Sequence, residues 1–352
     1  MKALATLAAI CLLPAIALGQ VEKSGPWEMQ NSGTTASLRG IHAVGGGVAW
    51  ASGTNGTVLR TEDSGYMWQS CAMPSGAEKL DFRGIWAWDA DTAIVMSSGP
   101  GDQSRLYETI DGCSHWTLLY TNPDKDGFWD ALAFADDEHG AILGDPVQDK
   151  FIFIETVDKG SHWQRDIAGG LKSDQGEGAF AASNSSLVDH AIGTAWMFAT
   201  GGPTGSRVFG SQNGISEKGL FREWYAINVS SLAKGKSSGI FSLAFRDISH
   251  GMAVGGDYTK PNESAGTAAW TADGGQHWTG AEKPPHGYRS AVAWDADAKA
   301  WIATGTNGSD ISYDDGKTWQ PLDDGNWNAL SLPWIVGPKG RIAKLGALPP
   351  KK

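Results

Sequence analysis

Short apolar runs that alternate with polar positions recur along the chain and are separated by turns rich in glycine. The first group contains runs at residues 38–43, 48–53 and 57–61, and Trp68 opens a fourth. Runs of this length and alternation predict β-strands. No stretch of the sequence keeps apolar residues at helical spacing for long. The pattern therefore predicts an all-β protein made of four-stranded units.

The four-run group is repeated along the sequence. Four-stranded units with a period of about 40 to 50 residues are typical of the blades of a β-propeller. A further six groups follow the first, which predicts seven blades; unit four is degenerate and lacks the turn motif that five others share. The apolar runs that open units two to seven lie at residues 82–87, 129–134, 177–182, 239–245, 288–294 and 327–332.

Five units share a turn between the third and fourth runs, which we call the box turn. A Ser or Thr is followed by Asp, Gly and Trp two, four and seven residues later, except that Cys113 replaces the Gly in unit two. The Asp carboxylate can accept backbone N–H groups, Gly permits a positive φ, and Trp packs on the next strand. The predicted structural pairs are Asp63 and Trp68, Asp111 and Trp116, Asp158 and Trp163, Asp273 and Trp278, and Asp314 and Trp319.

The two ends of the chain complement each other. The seventh unit stops after its third run, at residues 340–344, without a box turn or a fourth run. Residues 25–29 around Trp27 match the segment that follows the box turn in other units. Pairing these segments removes two exposed sheet edges. We therefore predict a seven-bladed propeller whose ring is closed by the N-terminal strand.

Residues 1–19 have the pattern of a secretory signal peptide, with Lys2, an apolar run and small residues before Gln20. This predicts an exported protein, periplasmic or secreted, with one propeller domain at residues 20–352. After its removal no apolar stretch is long enough to span a membrane.

Charge and cysteine content narrow the function classes. The net charge of −11 argues against nucleic acid as a partner. Cys71 and Cys113 are the cysteines left after removal of residues 1–19, and an oxidising compartment permits a disulfide between them. Two separate buried thiols are the alternative.

The box turns resemble the Asp box of sialidase-type and related propellers. Together with the signal peptide, the Phe-Arg-Gly-Ile run at 82–85 and the Gly-Met-Ala-Val-Gly run at 251–255, they resemble the photosystem II stability/assembly factor family and its relatives with BNR-repeat labels. The photosynthetic members are non-enzymatic chaperones of a membrane-complex subunit. The resemblance implies a monomeric, non-catalytic scaffold that assists the assembly or stability of a partner protein.

The face without box turns is the predicted binding face. Arg39, Arg83 and Arg289 lie near the starts of first runs in units one, two and six, and Asn328 lies at the same place in unit seven. Three cations at a channel mouth would bind a carboxylate. Alternatively, each arginine caps carbonyls or pairs with a neighbouring acid.

Acidic residues occupy the opposite arc of that face. They can bind a cation, a sugar or a basic peptide, or they can satisfy loop amides. His115, His162 and His277 precede box tryptophans and form no metal cluster, so we predict neither a metal nor a cofactor. The acidic positions, with one adjoining tyrosine, are Asp130, Asp145, Glu177, Asp257 and Tyr258.

A sialidase-type glycoside hydrolase is the alternative function. It would use three arginines on a substrate carboxylate, an Asp acid and a Tyr paired with Glu. The run at 82–85 lacks the Pro of the sialidase segment and lies in the second unit, and no Tyr–Glu pair is apparent. The sequence therefore favours a protein-binding scaffold over an enzyme and leaves a glycan ligand open.

Overall fold

The computed structural model describes residues 23–166, 169–190, 195–216 and 219–351. Seven antiparallel sheets, six of four strands and one of five, account for almost all regular structure in this part of the chain, beside one 3₁₀-helix at Gly101–Gln103. The first strand of each sheet contacts the first strands of the two neighbouring sheets, which closes a ring of seven. The predicted seven-bladed β-propeller is confirmed. The predicted signal peptide lies outside the described residues.

In blades 1 to 6 the strands follow chain order across the sheet, so each blade is a meander with its first strand at the channel. Their bounds are Leu38–Gly45, Val48–Gly53, Thr57–Thr61 and Gln69–Ser70; Phe82–Ala87, Ala93–Ser97, Arg105–Thr109 and Thr117–Thr121; Trp129–Phe134, Gly140–Val147, Lys150–Thr156 and Gln164–Arg165; Leu187–Asp189, Trp196–Ala199, Arg207–Ser216 and Gly219–Asn228; Ser238–Phe245, Gly251–Asp257, Ala268–Thr271 and Thr279–Gly280; and Ala291–Asp295, Ala300–Gly305, Gly308–Ser312 and Gln320–Asp323.

Blade 7 joins both ends of the chain, as predicted. Its strands Ala329–Ser331, Trp334–Val336 and Ile342–Leu345 are followed by Trp27–Gln30, with the short strand Lys23–Ser24 outside it. Trp27 pairs with Leu345 and is fully buried, and its indole Nε1 donates to Ser309 Oγ at 3.0 Å. This contact also fixes blade 7 to blade 6.

The box turns have one hydrogen-bond pattern. In the first, the Thr61 hydroxyl donates to Asp63 Oδ1 at 2.9 Å and accepts from the Gly65 N–H, and Asp63 Oδ1 also accepts from the Met67 N–H. The same three bonds recur in the other four turns. These residues therefore hold hairpins together.

A disulfide joins the first two blades. Cys71 follows the outer strand of blade 1, and Cys113 occupies the Gly position of the second box turn with a φ of 62°. Their Cα atoms are 5.5 Å apart, and 42 residues separate them in sequence. The cross-link thus holds adjacent outer rims together.

Blade 4 departs from the prediction. Its first strand is Leu187–Asp189 rather than residues 177–182, and its last two strands, of ten residues each, form a long hairpin in place of a box turn. Residues 179–186, which we call the channel segment, cross the ring instead. Within it, Ser183 Oγ donates to Ser290 O at 2.6 Å, Asn184 Oδ1 accepts from Leu132 N at 2.7 Å, and Ser185 O accepts from Leu243 N at 2.8 Å. Small polar side chains allow this path because they satisfy inner-strand backbone groups of several blades.

The apolar core lies between adjacent blades rather than in the channel. Between blades 2 and 3, for example, Ile94 and Met96 pack with Leu132 and Ile142. The channel is therefore free to carry polar side chains. No helix in the described part of the chain is long and apolar enough to cross a membrane.

Candidate functional site

Four inner strands have a β-bulge near their start, on the face opposite to the box turns. In blade 1, Leu38 pairs with Gly53 and Gly40 with Ser52, which leaves the intervening residue unpaired. Blades 2, 3 and 5 repeat this irregularity. Bulges commonly re-aim a side chain next to a site. The bulged residues are Arg39, Arg83, Asp130 and Phe241, and all four line one cavity.

We call this cavity, of about 410 Å³, the axial cavity. Asn328 and Ser290 contribute from blades 7 and 6, so six blades reach it. Blade 4 contributes through the channel segment, whose residues 179–182 line the cavity. The volume is within the range of small-ligand pockets.

Arg39 and Arg83 supply positive charge to the axial cavity. The Arg83 Nε donates to Asp81 Oδ2 at 2.8 Å and its Nη1 to Ala181 O at 2.9 Å. Arg39 has no hydrogen bond or ion pair with the described residues, and its Nε is buried. Burial, and then the charge of Arg83, lower the pKa of Arg39, which Asp81 partly offsets. Arg39 is therefore a partly buried cation available to a ligand.

Arg289 does not join this pair. It is fully buried in blade 6, where its Nε donates to Asp310 Oδ2 at 2.7 Å and its Nη1 to Asn307 Oδ1 at 2.6 Å. The Arg289 N–H donates to Gly255 O of the preceding blade, as the Leu38 N–H does to Gly337 O. Arg289 is therefore the blade 6 equivalent of Leu38, a core residue of blade 1, and not of Arg39, which follows Leu38 and faces the channel. The predicted three-arginine cluster is reduced to two.

Two carboxyl groups face the cavity from blade 3. Asp130 is only 2% exposed, and its Oδ2 has no hydrogen-bond partner in the described part of the chain. Burial and the nearby Asp145 raise the pKa of Asp130 well above its usual value, while Arg83 opposes the shift. Asp145 Oδ1 accepts from the Ala179 N–H at 3.0 Å, and burial raises the Asp145 pKa to about 6.

The other two predicted acids are engaged in local structure. Glu177 Oε1 accepts from Arg207 Nε at 2.8 Å, and Asp174 N donates to its Oε2. Asp257 Oδ1 accepts from the Thr259 N–H at 3.0 Å. These carboxylates stabilise loops, as the alternative interpretation states.

Asn328 and Tyr258 do line the axial cavity. The Asn328 Nδ2 donates to Leu38 O at 2.7 Å, so its amide also links blade 7 to blade 1. The Tyr258 ring is half-exposed and contacts Phe241 edge-on at 6.1 Å.

Sequence reasoning missed an aromatic wall. Phe180 of the channel segment stacks on Phe241 at 3.8 Å between ring centroids, and Phe241 meets Tyr288 edge-on at 4.8 Å. Burial raises the pKa of the Tyr288 hydroxyl. Phe241 is the bulged residue of blade 5, equivalent to Arg39 in blade 1. This equivalence of position in the repeat could have predicted that Phe241 faces the channel. Phe180 carries no such signal, because the pattern at residues 177–182 predicts an ordinary inner strand.

A groove of about 950 Å³ leads from the axial cavity over blades 3 and 4, and we call it the lateral groove. The cavity and the groove share four lining residues: Phe128, Asp145, Ala179 and Phe180. Asp126, Asp149 and Asp174 also line the groove, together with Lys172 and Lys236. A single extended ligand can therefore occupy both the axial cavity and the lateral groove.

Comparison with known proteins places the fold among β-propellers. No protein-family model matches the chain, and no curated protein matches it in sequence. Its structure is similar to that of YCF48 bound to D1 peptide, with a TM-score of 0.63 and 15% identity over 93% of this chain and 99% of the other. YCF48 from Cyanidioschyzon merolae is similar with a TM-score of 0.58 and 16% identity, and the match covers 91% of this chain and 98% of the other. The WD40 β-propeller domain of Doa1 is similar with a TM-score of 0.57 and 10% identity, and the match covers 90% of this chain and 96% of the other.

Proposed function

We propose that this chain is an exported, non-catalytic scaffold that holds a segment of a partner protein in the axial cavity and so assists the partner's assembly or stability. The observation that carries the proposal is Arg39. It is a partly buried guanidinium in a cavity, and no described residue pairs with it. Such a cation suits a carboxylate brought by a ligand.

The surroundings of Arg39 suit a peptide. Arg83 adds a second charge, and the wall of Phe180, Phe241 and Tyr288 offers apolar contact to a side chain. Ligand sites commonly combine apolar walls with a few polar groups that fix orientation. The lateral groove accommodates the rest of an extended segment.

The structural comparison supports a peptide ligand. One structure with the same fold over nearly the whole chain is described as YCF48 bound to D1 peptide. At 15% identity the likeness concerns the fold, so the ligand of this chain rests on its own cavity.

Export is part of the proposal. Residues 1–19 match a signal peptide, and the Cys71–Cys113 disulfide suits an oxidising compartment. Mass spectrometry of the protein from the periplasmic and culture fractions should find a mature chain beginning at Gln20. A chain retained in the cytoplasm with its first 19 residues would contradict export.

The binding test compares Arg39→Ala with Arg105→Ala. Arg105 also lies on this face but pairs with Asp102 and does not line the axial cavity. The partner is first captured by crosslinking in the native envelope and its bound segment mapped. Arg39→Ala should weaken binding of that segment by about 1–3 kcal/mol, and Arg105→Ala should leave it unchanged. Equal binding by both variants would contradict the proposal.

One feature favours the hydrolase alternative. Asp130 and Asp145 have raised pKa values, as a general acid requires, and Tyr288 lies in the same cavity. However, burial raises the Tyr288 pKa, which disfavours a phenolate nucleophile, and no described Glu is hydrogen-bonded to this tyrosine. Turnover of a fluorogenic sialoside that Asp130→Asn abolishes would favour the hydrolase.

A further inference from the structure

We propose that Asp130 and Asp145 form a binding site for one basic side chain of the bound segment, which makes the axial cavity selective for a ligand that carries both a carboxylate and a cation. The inference rests on the proposed function and names the ligand class of the same cavity. It adds a negative subsite beside the positive one at Arg39 and Arg83.

Backbone register brings the two acids together. Trp129 pairs with Gly144 and Ala131 pairs with Leu143, so Asp130 is the bulged residue between them. Asp145 directly follows Gly144 on the neighbouring strand. Both side chains line the axial cavity, and Asp145 also lines the lateral groove.

The described residues leave this pair without a cation of its own. Arg83, whose charge opposes the pKa shift of Asp130, donates to Asp81 and to Ala181 O. Asp130 Oδ2 is buried without a partner, and such a group costs free energy that a ligand donor can recover. An ammonium or guanidinium would supply both charge and donors.

A basic side chain fits better than a metal ion. In the described part of the chain no group of three His, Cys, Asp or Glu residues could hold a metal. Phe128 and Phe180 border the same place, and their rings can pack against the methylene stem of Lys or Arg. The acids of the lateral groove add attraction for a basic segment, although Lys172 and Lys236 also line it.

The pair should make binding pH-dependent. Burial raises the pKa of both acids, and Arg83 opposes the shift at Asp130. The other ionisable residues that line the cavity are Arg39, Tyr258 and Tyr288, and Asp81 lies beside the two arginines. A bound cation requires ionised carboxylates. Because the pKa of Asp145 is raised to about 6, affinity for a basic ligand should rise between about pH 5 and pH 7.5 as this acid ionises.

The test uses synthetic hexapeptides with an acetylated N-terminus, a free C-terminal carboxylate and a Leu/Ala background. A single Arg is placed at each of the first five positions, and each peptide is matched by a Gln version. Calorimetric titration of the full mature protein at pH 7.5 should find one position where Arg binds at least ten times more tightly than Gln. At pH 5 this preference should shrink.

Variants assign the preference to the two acids. Asp130→Asn and Asp145→Asn should each remove the Arg preference while keeping the affinity for the Gln peptide. Asp137→Asn makes the same change at an exposed site on the other face of blade 3 and should keep the preference. Two separate substitutions keep the test valid if one variant fails to fold. Arg39→Ala should weaken Arg and Gln peptides alike.

Three results would overturn the inference. Equal binding of Arg and Gln peptides at every position would remove the cation subsite but leave the peptide-binding function standing. Calcium binding that Asp130→Asn abolishes would assign the pair to a metal ion. Absence of binding by all peptides and by the mapped partner segment would overturn the proposed function as well.

Discussion

At the residue scale, strand register decides what a charged side chain does. Arg39 and Arg289 both lie near the start of an inner strand, one residue apart in register. Arg39 falls on the bulge and faces the cavity, whereas Arg289 falls on the core position and needs Asp310 as a buried counter-ion. The same side chain is a ligand group in one blade and a structural group in another.

We therefore expect Arg289→Ala and Arg39→Ala to differ in stability. Arg289→Ala removes the buried counter-ion of Asp310, which keeps only its bonds from His286, and should cost about 3–5 kcal/mol of the free energy of unfolding. Arg39→Ala removes no hydrogen bond or ion pair with the described residues and should change this free energy by less than about 1 kcal/mol. Urea unfolding of both variants measures the difference. Equal losses would show that Arg39 is structural too.

A second residue-scale prediction concerns Asp145 and pH. Its pKa rises from 3.8 unfolded to about 6 folded, so the native state holds the proton more tightly. This acid therefore costs stability progressively as pH rises from about 4 to 6, and the full cost persists above that. The free energy of unfolding of Asp145→Asn should exceed that of the parent by on the order of 1–3 kcal/mol at pH 7, and by little at pH 4.

Denaturant unfolding of the parent and the Asp145→Asn variant at both pH values gives this difference. The exposed Asp137→Asn change should show no such trend. A gain for Asp145→Asn that stays constant between pH 4 and pH 7 would exclude the titration as its cause.

At the element scale, one short strand completes the ring. The strand Trp27–Gln30 is the fourth of blade 7, and it buries a whole indole at the boundary with blade 6. Without it, the edge of Ile342–Leu345 would be open to water and to other chains.

Truncation tests this role. A chain that starts at Ser32 loses the closing strand and should lose stability, because the burial of Trp27 alone accounts for about 3–5 kcal/mol. It should also aggregate through the open edge. A chain that starts at Lys23 keeps the strand and is the control. Melting temperatures and size-exclusion profiles of both chains are compared, and coincident curves would reject the closure.

At the scale of the whole molecule, the channel segment ties together blades that are far apart in sequence. Asn184 accepts from Leu132 of blade 3, Ser183 donates to Ser290 of blade 6, and Arg83 of blade 2 donates to Ala181. The segment therefore links these blades, and its residues 179–182 line the axial cavity.

Replacement of Asn184 by Ala tests the segment. The change leaves the buried Leu132 N–H without an acceptor, which should cost about 1–3 kcal/mol of unfolding free energy. Asn31→Ala removes an amide that makes an equivalent but exposed bond to Gly33 and should cost much less. Hydrogen exchange of the Leu132 amide should rise in the Asn184 variant only. Unchanged exchange would argue against a bracing role.

The sequence by itself determined the fold. Each of the five box turns is a local structure whose members satisfy one another within a few residues, and the seven four-stranded units must stack to bury their faces. Even the closing strand was predictable, because the missing strand at one end matches the spare strand at the other. Local hydrogen bonds and alternation are properties of contiguous sequence.

The tertiary structure alone decided which residues meet. A bulge shifts an inner strand by one residue, so the sequence could not place Arg39 on the channel and Arg289 in the core. It also could not predict that residues 179–186 leave blade 4, since their partners lie on blades 2, 3, 5 and 6. The axial cavity depends on contacts between residues as distant as Arg39 and Tyr288, and such contacts exist only once the ring is closed.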